Sequence, residues 1–146
     1  MNSVSIVLSI NPWPSMNIRS GCKTEELRTR KLPYKDHTAV RAFIYETSPT
    51  KKIVGEFWTH SSKRVFVDKP LRETLAALCI DEWQYVRYLK NKGHGFSHEI
   101  YGVIDYDRSY ELSDFGLTRA PYSWLYAVRI PEELRECPGG SADVLL

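Results

Sequence analysis

An α+β domain is what this sequence predicts, and three observations predict it. Short runs rich in β-branched and aromatic residues recur along the chain, the stretch from Leu71 to Lys92 switches to helical spacing, and proline or glycine marks the joins. With 146 residues, 42% apolar and 12% aromatic, the chain can bury one real core and has little room for a second. Residues 1–130 are expected to form that domain. Residues 131–146, with Pro138-Gly139-Gly140-Ser141, carry too little apolar surface to order themselves and are expected to be a flexible tail.

Taken in order, Ser3 to Ile10 reads as a first strand, broken by Asn11-Pro12-Trp13-Pro14. Pro14 to Ser20 predicts a short helix with proline in its first turn, and Gly21 is placed to end it in the left-handed conformation. Thr24 to Leu32, Ala39 to Glu46 and Lys52 to Thr59 predict strands, and Ser61 to Val67 extends the ladder. Between Leu71 and Lys92 the apolar residues Leu75, Leu78, Trp83, Val86 and Leu89 recur every three to five positions. A break near Cys79 and a capping residue at Asp81 divide this region into two helices. Gly93-His94-Gly95 closes it, His98 to Tyr106 predicts one further strand, and Trp124 to Ile130 the last.

The composition disfavours several function classes. No run reaches the roughly 18 apolar residues of a membrane span, and Val4 to Ile10 lacks the basic flank and exit site of a signal peptide, so a cytoplasmic protein with no membrane partner is expected. Cys22, Cys79 and Cys137 are odd in number and widely spaced, which fits a reducing compartment and gives no metal pair. His94 and His98 are four apart, but the flanking glycines argue against a helix, so neither metal nor cofactor is expected. Charge is uneven. Residues 1–41 hold seven Lys/Arg against three Asp/Glu, residues 42–93 nine against six, and residues 94–146 four against nine, which points to a polyanionic partner on one face.

The segment that carries chemistry is Ile18 to Arg30. In a strand leaving a glycine turn, Thr24, Glu26, Arg28 and Arg30 share one face, because side chains alternate with period two, and Lys23 sits at the turn. A lysine offers a point charge for phosphate, a guanidinium offers a planar fork, and a carboxylate accepts from a base amino group. The plainer alternative is that Glu26 and Arg28 simply pair with neighbouring strands.

The run Gly21-x-Lys23-x-x-Glu26-x-Arg28 resembles the G-x-K-x-x-E-x-R signature of the ASCH family, in the expected context of a strand ending Leu8-Ser9-Ile10 and a short proline-containing helix. Ile53-Val54-Gly55-Glu56-Phe57 is similar to the family's following strand, and Ala120-Pro121-Tyr122-Ser123-Trp124 to a Pro-x-Ser-Trp element before the final strand, so the resemblance spans about residues 4–130. It implies a PUA-like fold, a small mixed β-barrel with short helices at its rim, that binds RNA or a modified nucleoside in a cleft beside the motif. Lys23, Glu26 and Arg28 would line that cleft, with Ser20 and Thr24 near it and Ser123 and Trp124 on its wall. Some small bacterial members hydrolyse the amide of N4-acetylcytidine with a lysine, a threonine three positions later and a glutamate from a later helix. Here the lysine is Lys23, Glu26 stands in the threonine's place, and Glu73 and Glu82 both offer the later glutamate. In a hydrolase of this kind, or in a ribonuclease, Lys23 and Glu26 would be the catalytic pair.

Among the tryptophans, Trp13 lies between two prolines beside the motif and is a candidate for stacking on a base, whereas Trp58 and Trp83 are expected in the core. Tyr101, Tyr106, Tyr110, Tyr122 and Tyr126 fall in the acidic last third, which offers a protein-contact surface and with it a third reading, a protein-interaction regulator.

Overall fold

A computed structural model describes residues 2–33 and 38–135. Its elements run β1 (Asn2–Ile10), α1 (Pro12–Arg19), β2 (Glu25–Arg28), β3 (Thr38–Glu46), β4 (Lys52–Thr59), β5 (Ser62–Phe66), α2 (Arg72–Leu78), α3 (Glu82–Leu89), β6 (His94–Glu99), β7 (Tyr101–Tyr110), β8 (Trp124–Tyr126) and α4 (Glu132–Arg135).

The strands form two sheets, one of five in the order β7-β4-β3-β1-β8 and one of three in the order β2-β6-β5. Among the described residues only β1 and β3 run parallel, with Ile6 opposite Ala42 and Leu8 opposite Ile44, and the other pairs are antiparallel. A parallel pair needs a crossover, and the crossover between β1 and β3 carries α1 and β2. The motif therefore sits on the excursion that leaves the large sheet and returns to it.

The mixed α+β class holds, but the expected barrel does not close. Among the described residues β2 pairs with β6 and not with the large sheet, and the edge strand β8 has only three residues. The predicted strand from His98 to Tyr106 is in fact two strands. It begins earlier, at His94, leaves the small sheet after Glu99 and enters the large one at Tyr101. Gly102 makes this corner at φ 62, where an added Cβ would stand 3.0 Å from Trp58 Cδ1. Two other strands are shorter than expected. β2 stops at Arg28 because the chain turns to bury Leu32 in the core before Pro33, and β8 ends at Tyr126. The helix expected from Pro14 starts two residues earlier, with Pro12 as its first residue. Glu132–Arg135 adds a helical turn in which the Leu134 carbonyl accepts from Arg41 at 2.7 Å; the rest of the expected tail, 136–146, lies outside the described residues, as does Cys137.

Both faces of the large sheet are covered. Ile6, Leu8, Ile10, Val40, Ala42, Ile44 and Phe57 pack on one face with Ile18 and Leu32, and Val7, Phe43, Tyr45, Ile53, Tyr110, Phe115 and Leu117 on the other. This is why β1 alternates only partly: a central strand is apolar on both sides. On the second face Arg41 makes a two-pronged pair with Glu56 at 2.9 and 2.7 Å, and the Tyr106 hydroxyl donates to the same carboxylate at 2.6 Å. A third core joins the small sheet to α2 and α3 through Leu27, Val65, Leu78, Tyr85 and Leu89.

The two helices and the Asp81 cap stand as the sequence predicts. The Asp81 carboxylate accepts from Gln84 N, and Gln84 Oε1 accepts in return from Asp81 N. Trp83 departs from expectation. The buried stripe of α3 is Tyr85 and Leu89, and Trp83 points away from it, 60% exposed. Trp58 is partly buried, with its Nε1 out of reach of solvent. Tyr110 is a core residue and Tyr106 is half-buried, which leaves Tyr101, Tyr122 and Tyr126 as the exposed members of the tyrosine group, Tyr101 the least so.

Candidate functional site

Gly21 ends α1 at φ 88, as its position predicts, and the next three residues are clamped between two helix ends. Lys23 N donates to Asn17 O on α1, and Thr24 N to Ala77 O on α2, both at 2.9 Å. This clamp fixes where β2 begins. The side chain of Lys23 turns inward, and its Nζ donates at 2.8 Å to the carbonyl of Leu78, the last residue of α2. A helix C-terminus leaves carbonyls without intrahelical partners and carries partial negative charge, so a buried ammonium is well placed there.

Glu26 and Arg28, two apart on β2, face the same side. Glu26 lies between two cations, with Oε1 3.6 Å from Lys23 Nζ and Oε2 accepting from Arg28 Nε at 2.8 Å. Lys23 and Glu26 are each only 5% exposed. Arg28 reaches further, donating through Nη2 to Ser9 O at 2.9 Å, while Nη1 lies 3.5 Å from Ser123 Oγ. It thereby ties β2 to the end of β1 and to the segment before β8. With two cations and one carboxylate, the cluster carries a net charge of one positive.

A cleft of about 300 Å³ opens over this cluster, with Lys23, Glu26, Leu27 and Arg28 on its floor. Ile10, Pro14 and Ile80 give it apolar walls, Tyr88 an aromatic one, and Ser9, Asn11 and Gln84 complete the rim. The two rim amides are already oriented. Gln84 Oε1 is taken by the Asp81 N–H and Asn11 Oδ1 by the Thr47 hydroxyl, so what each amide has to give a ligand is its N–H₂. The cleft thus offers donors from Gln84, Asn11, Lys23 and Arg28, together with an apolar and aromatic surface.

His98 lies directly opposite Glu26 across the β2–β6 ladder and is fully buried. Burial lowers its pKa to about 4; the Glu26 charge opposes the shift, and Arg28 and Lys31 add to it. The imidazole beside the carboxylate is therefore neutral at pH 7. Tyr88, 45% exposed, has its phenol pushed up by partial burial against the cleft, so it too is neutral.

The structure brings Lys23, Glu26 and Arg28 together, with Ser123 at the edge. It does not bring Trp13, Ser20, Thr24, Arg30 or Trp124 into the cleft. Thr24 and Arg30 flank the strand and are exposed, because the alternation they were placed by stops at its ends. Ser20 donates to Asn17 O at 3.2 Å, Trp13 is 66% exposed beyond Pro14, and Trp124 packs against the core and edge-on to Tyr126. Neither Glu73 nor Glu82 lines the cleft. His94 and His98 are four residues apart on one strand, a separation of about 13 Å, too far for a shared metal. Among the described residues no group of three or more His, Cys, Asp or Glu could hold a metal ion, and no helix is long and apolar enough to cross a membrane.

Comparison with solved structures places this architecture. The crystal structure of ASCH from Zymomonas mobilis superposes with a TM-score of 0.71 at 22% identity, covering 88% of this chain and 89% of that one. The chain has the ASCH fold. Crystal structures of two single-residue variants of the same Zymomonas ASCH protein superpose with TM-scores of 0.67 and 0.63, the second covering 97% of both chains at 21% identity. No family model matches the sequence. Among curated proteins, large ribosomal subunit protein uL22 from two strains of Ureaplasma parvum serovar 3 is 28% identical over 87 residues. That match covers 60% of this chain and 28% of the ribosomal protein's length. The ASCH fold is thus supported over almost the whole chain, whereas the ribosomal likeness is partial.

Proposed function

We propose that this ASCH domain binds RNA or a modified nucleoside, holding one nucleoside unit in the cleft over Lys23, Glu26 and Arg28. The observation that carries the reading is the concentration of donors and a net positive charge under an aromatic wall. A nucleotide is a flat heterocycle with ring and carbonyl acceptors joined to an anionic phosphate. Tyr88 would stack on the ring, Asn11 and Gln84 would donate to its acceptors, and Arg28 and Lys23 would meet phosphate or carbonyl oxygen. The fold shared with the Zymomonas ASCH protein and the motif at its expected place support the same reading.

One observation favours a second reading, hydrolysis of a modified nucleoside or of RNA. Lys23 Nζ and Glu26 Oε1 are 3.6 Å apart on the cleft floor, a spacing from which an acid–base pair could tighten onto a substrate.

The test is a titration with single-stranded RNA, duplex RNA and a panel of free modified nucleosides at two salt concentrations, with product analysis of each mixture. Binding weakened by salt and by Lys23→Met and Arg28→Gln supports the binding reading, and a converted product moves it to an enzyme. Affinity and salt slope untouched by either substitution would count against both.

A further inference from the structure

The surface next to the cleft carries an exposed tryptophan that the fold does not use. Helix α3 turns Tyr85 and Leu89 to the core and Gln84 and Tyr88 to the cleft. Its third face holds Trp83, Arg87 and Lys90, at spacings of four and three residues, which on a helix makes one stripe. Val86 extends the apolar part, and together they border an open groove whose N-terminal end is formed by Asp81 and Glu82. Trp83 is 60% exposed and Val86 38%, and Arg87 and Lys90 make no ion pair with any described residue.

From this we infer that the outer face of α3 is a second subsite for a single RNA strand, continuing the one in the cleft. The inference rests on the binding reading above. Three features favour a nucleic-acid strand as the occupant. Arg87 is three residues from Gln84 and so flanks the cleft rim, where a phosphate leaving a cleft-bound nucleoside would pass. Lys90 stands one turn further along the same stripe, a second cation for a second phosphate. Between them and the N-terminal end of the helix, the Trp83 ring offers a flat apolar face to the next base, a contact that tolerates any base because every base has a π-face. Asp81 and Glu82, the two acidic residues of the groove, lie at its N-terminal end, away from Arg87 and Lys90, so the strand's phosphates would follow the basic end, while the Asp81 carboxylate is turned to the Gln84 N–H in the helix cap. The cleft thus takes one nucleoside, and the helix edge makes the protein prefer a strand over a free nucleotide.

Affinities for uridine monophosphate and for a short mixed-sequence single-stranded RNA, each at several salt concentrations, test this. The proteins compared are the wild type, Trp83→Ala, Trp83→Phe, Arg87→Ala/Lys90→Ala and Lys23→Met. Trp83→Ala is expected to weaken the oligomer roughly tenfold or more while leaving the mononucleotide unchanged, with Trp83→Phe restoring most of the loss. Arg87→Ala/Lys90→Ala is expected to lower the log–log salt slope for the oligomer by about 1.4, roughly 0.7 for each single-strand phosphate contact. Oligomer binding indifferent to Trp83, Arg87 and Lys90 but lost in Lys23→Met would overturn the second subsite and leave the cleft standing. Failure of the wild type to bind either ligand would remove both. Self-association of the wild type that is lost in Trp83→Ala would identify the face as a protein interface and overturn the strand.

Discussion

Lys23 Nζ donates to the carbonyl of Leu78 at 2.8 Å, so a side-chain hydrogen bond, beside the backbone bond from Thr24 N to Ala77 O, joins the start of the motif to the end of the helix 55 residues later. The same ammonium is held 3.6 Å from Glu26, and the lysine thus serves as both a structural tie and the positive end of the site. Lys23→Met keeps most of the side-chain volume but removes the donor. It leaves the Leu78 carbonyl and part of the Glu26 carboxylate without a partner, at a cost of about 1–3 kcal/mol. A denaturant midpoint lowered with unchanged slope would show this, and ligand affinity should fall in the same variant. Full stability in Lys23→Met would mean that the tie carries no energy.

His98 predicts a pH dependence with a defined direction. Its folded-state pKa is depressed from 6.5 to about 4, so between those values the unfolded chain binds a proton that the native protein does not. Stability from this group is complete above pH 6.5 and is lost as pH falls towards 4, by about 3 kcal/mol in all. Urea midpoints measured across this range should slope for the wild type and flatten in His98→Gln. An identical slope in the variant would assign the effect to other groups.

Much of the site can be read from the sequence because it is local. Gly21, Lys23, Glu26 and Arg28 lie within eight positions, and a glycine turn followed by period-two alternation is enough to place three charged groups together. The same alternation predicts Arg30 and Thr24 on this face, yet both fall outside the strand, because strand ends depend on tertiary packing, here the burial of Leu32. The cleft walls were not legible. Tyr88 and Gln84 arrive from a helix about 60 residues later, and their one signal is a spacing of four that falls off the Tyr85–Leu89 stripe. Hydrophobicity and rough spacing point Trp83 to the core, but three-residue steps from Leu89 mark a different stripe from the buried one. That His98 would stand opposite Glu26 depends on strand register between segments 72 residues apart, which no local pattern encodes.

Arg41, Glu56 and Tyr106 form a network that should matter for folding and not for the ligand. Glu56 is fully buried and accepts from both other residues. Glu56→Ala removes the counter-charge of a buried guanidinium that keeps its bond to the Leu134 carbonyl, and should cost about 3–5 kcal/mol, whereas replacing both Arg41 and Glu56 by methionine should cost less. Thermal unfolding of the three proteins checks the order. A single variant as stable as the double one would contradict it.

Gly55 lies where β4 meets β7, and a Cβ there would come within 2.6 Å of the Ile104 carbonyl oxygen. Gly55→Ala must push the two strands apart and should destabilise by about 1–3 kcal/mol. Amide exchange should speed up along β7 and leave the β2–β6–β5 sheet unchanged. Uniform exchange across both sheets would indicate a different cause.

The measurement that bears most directly on the binding site is residue-resolved amide exchange, or backbone NMR shifts, with and without a short single-stranded RNA. If the cleft is the site, changes will centre on Lys23 to Arg28, on Asn11 and on Gln84 to Tyr88, and Lys23→Met will abolish them. Changes confined to the Tyr122–Tyr126 surface, with the cleft silent, would contradict it.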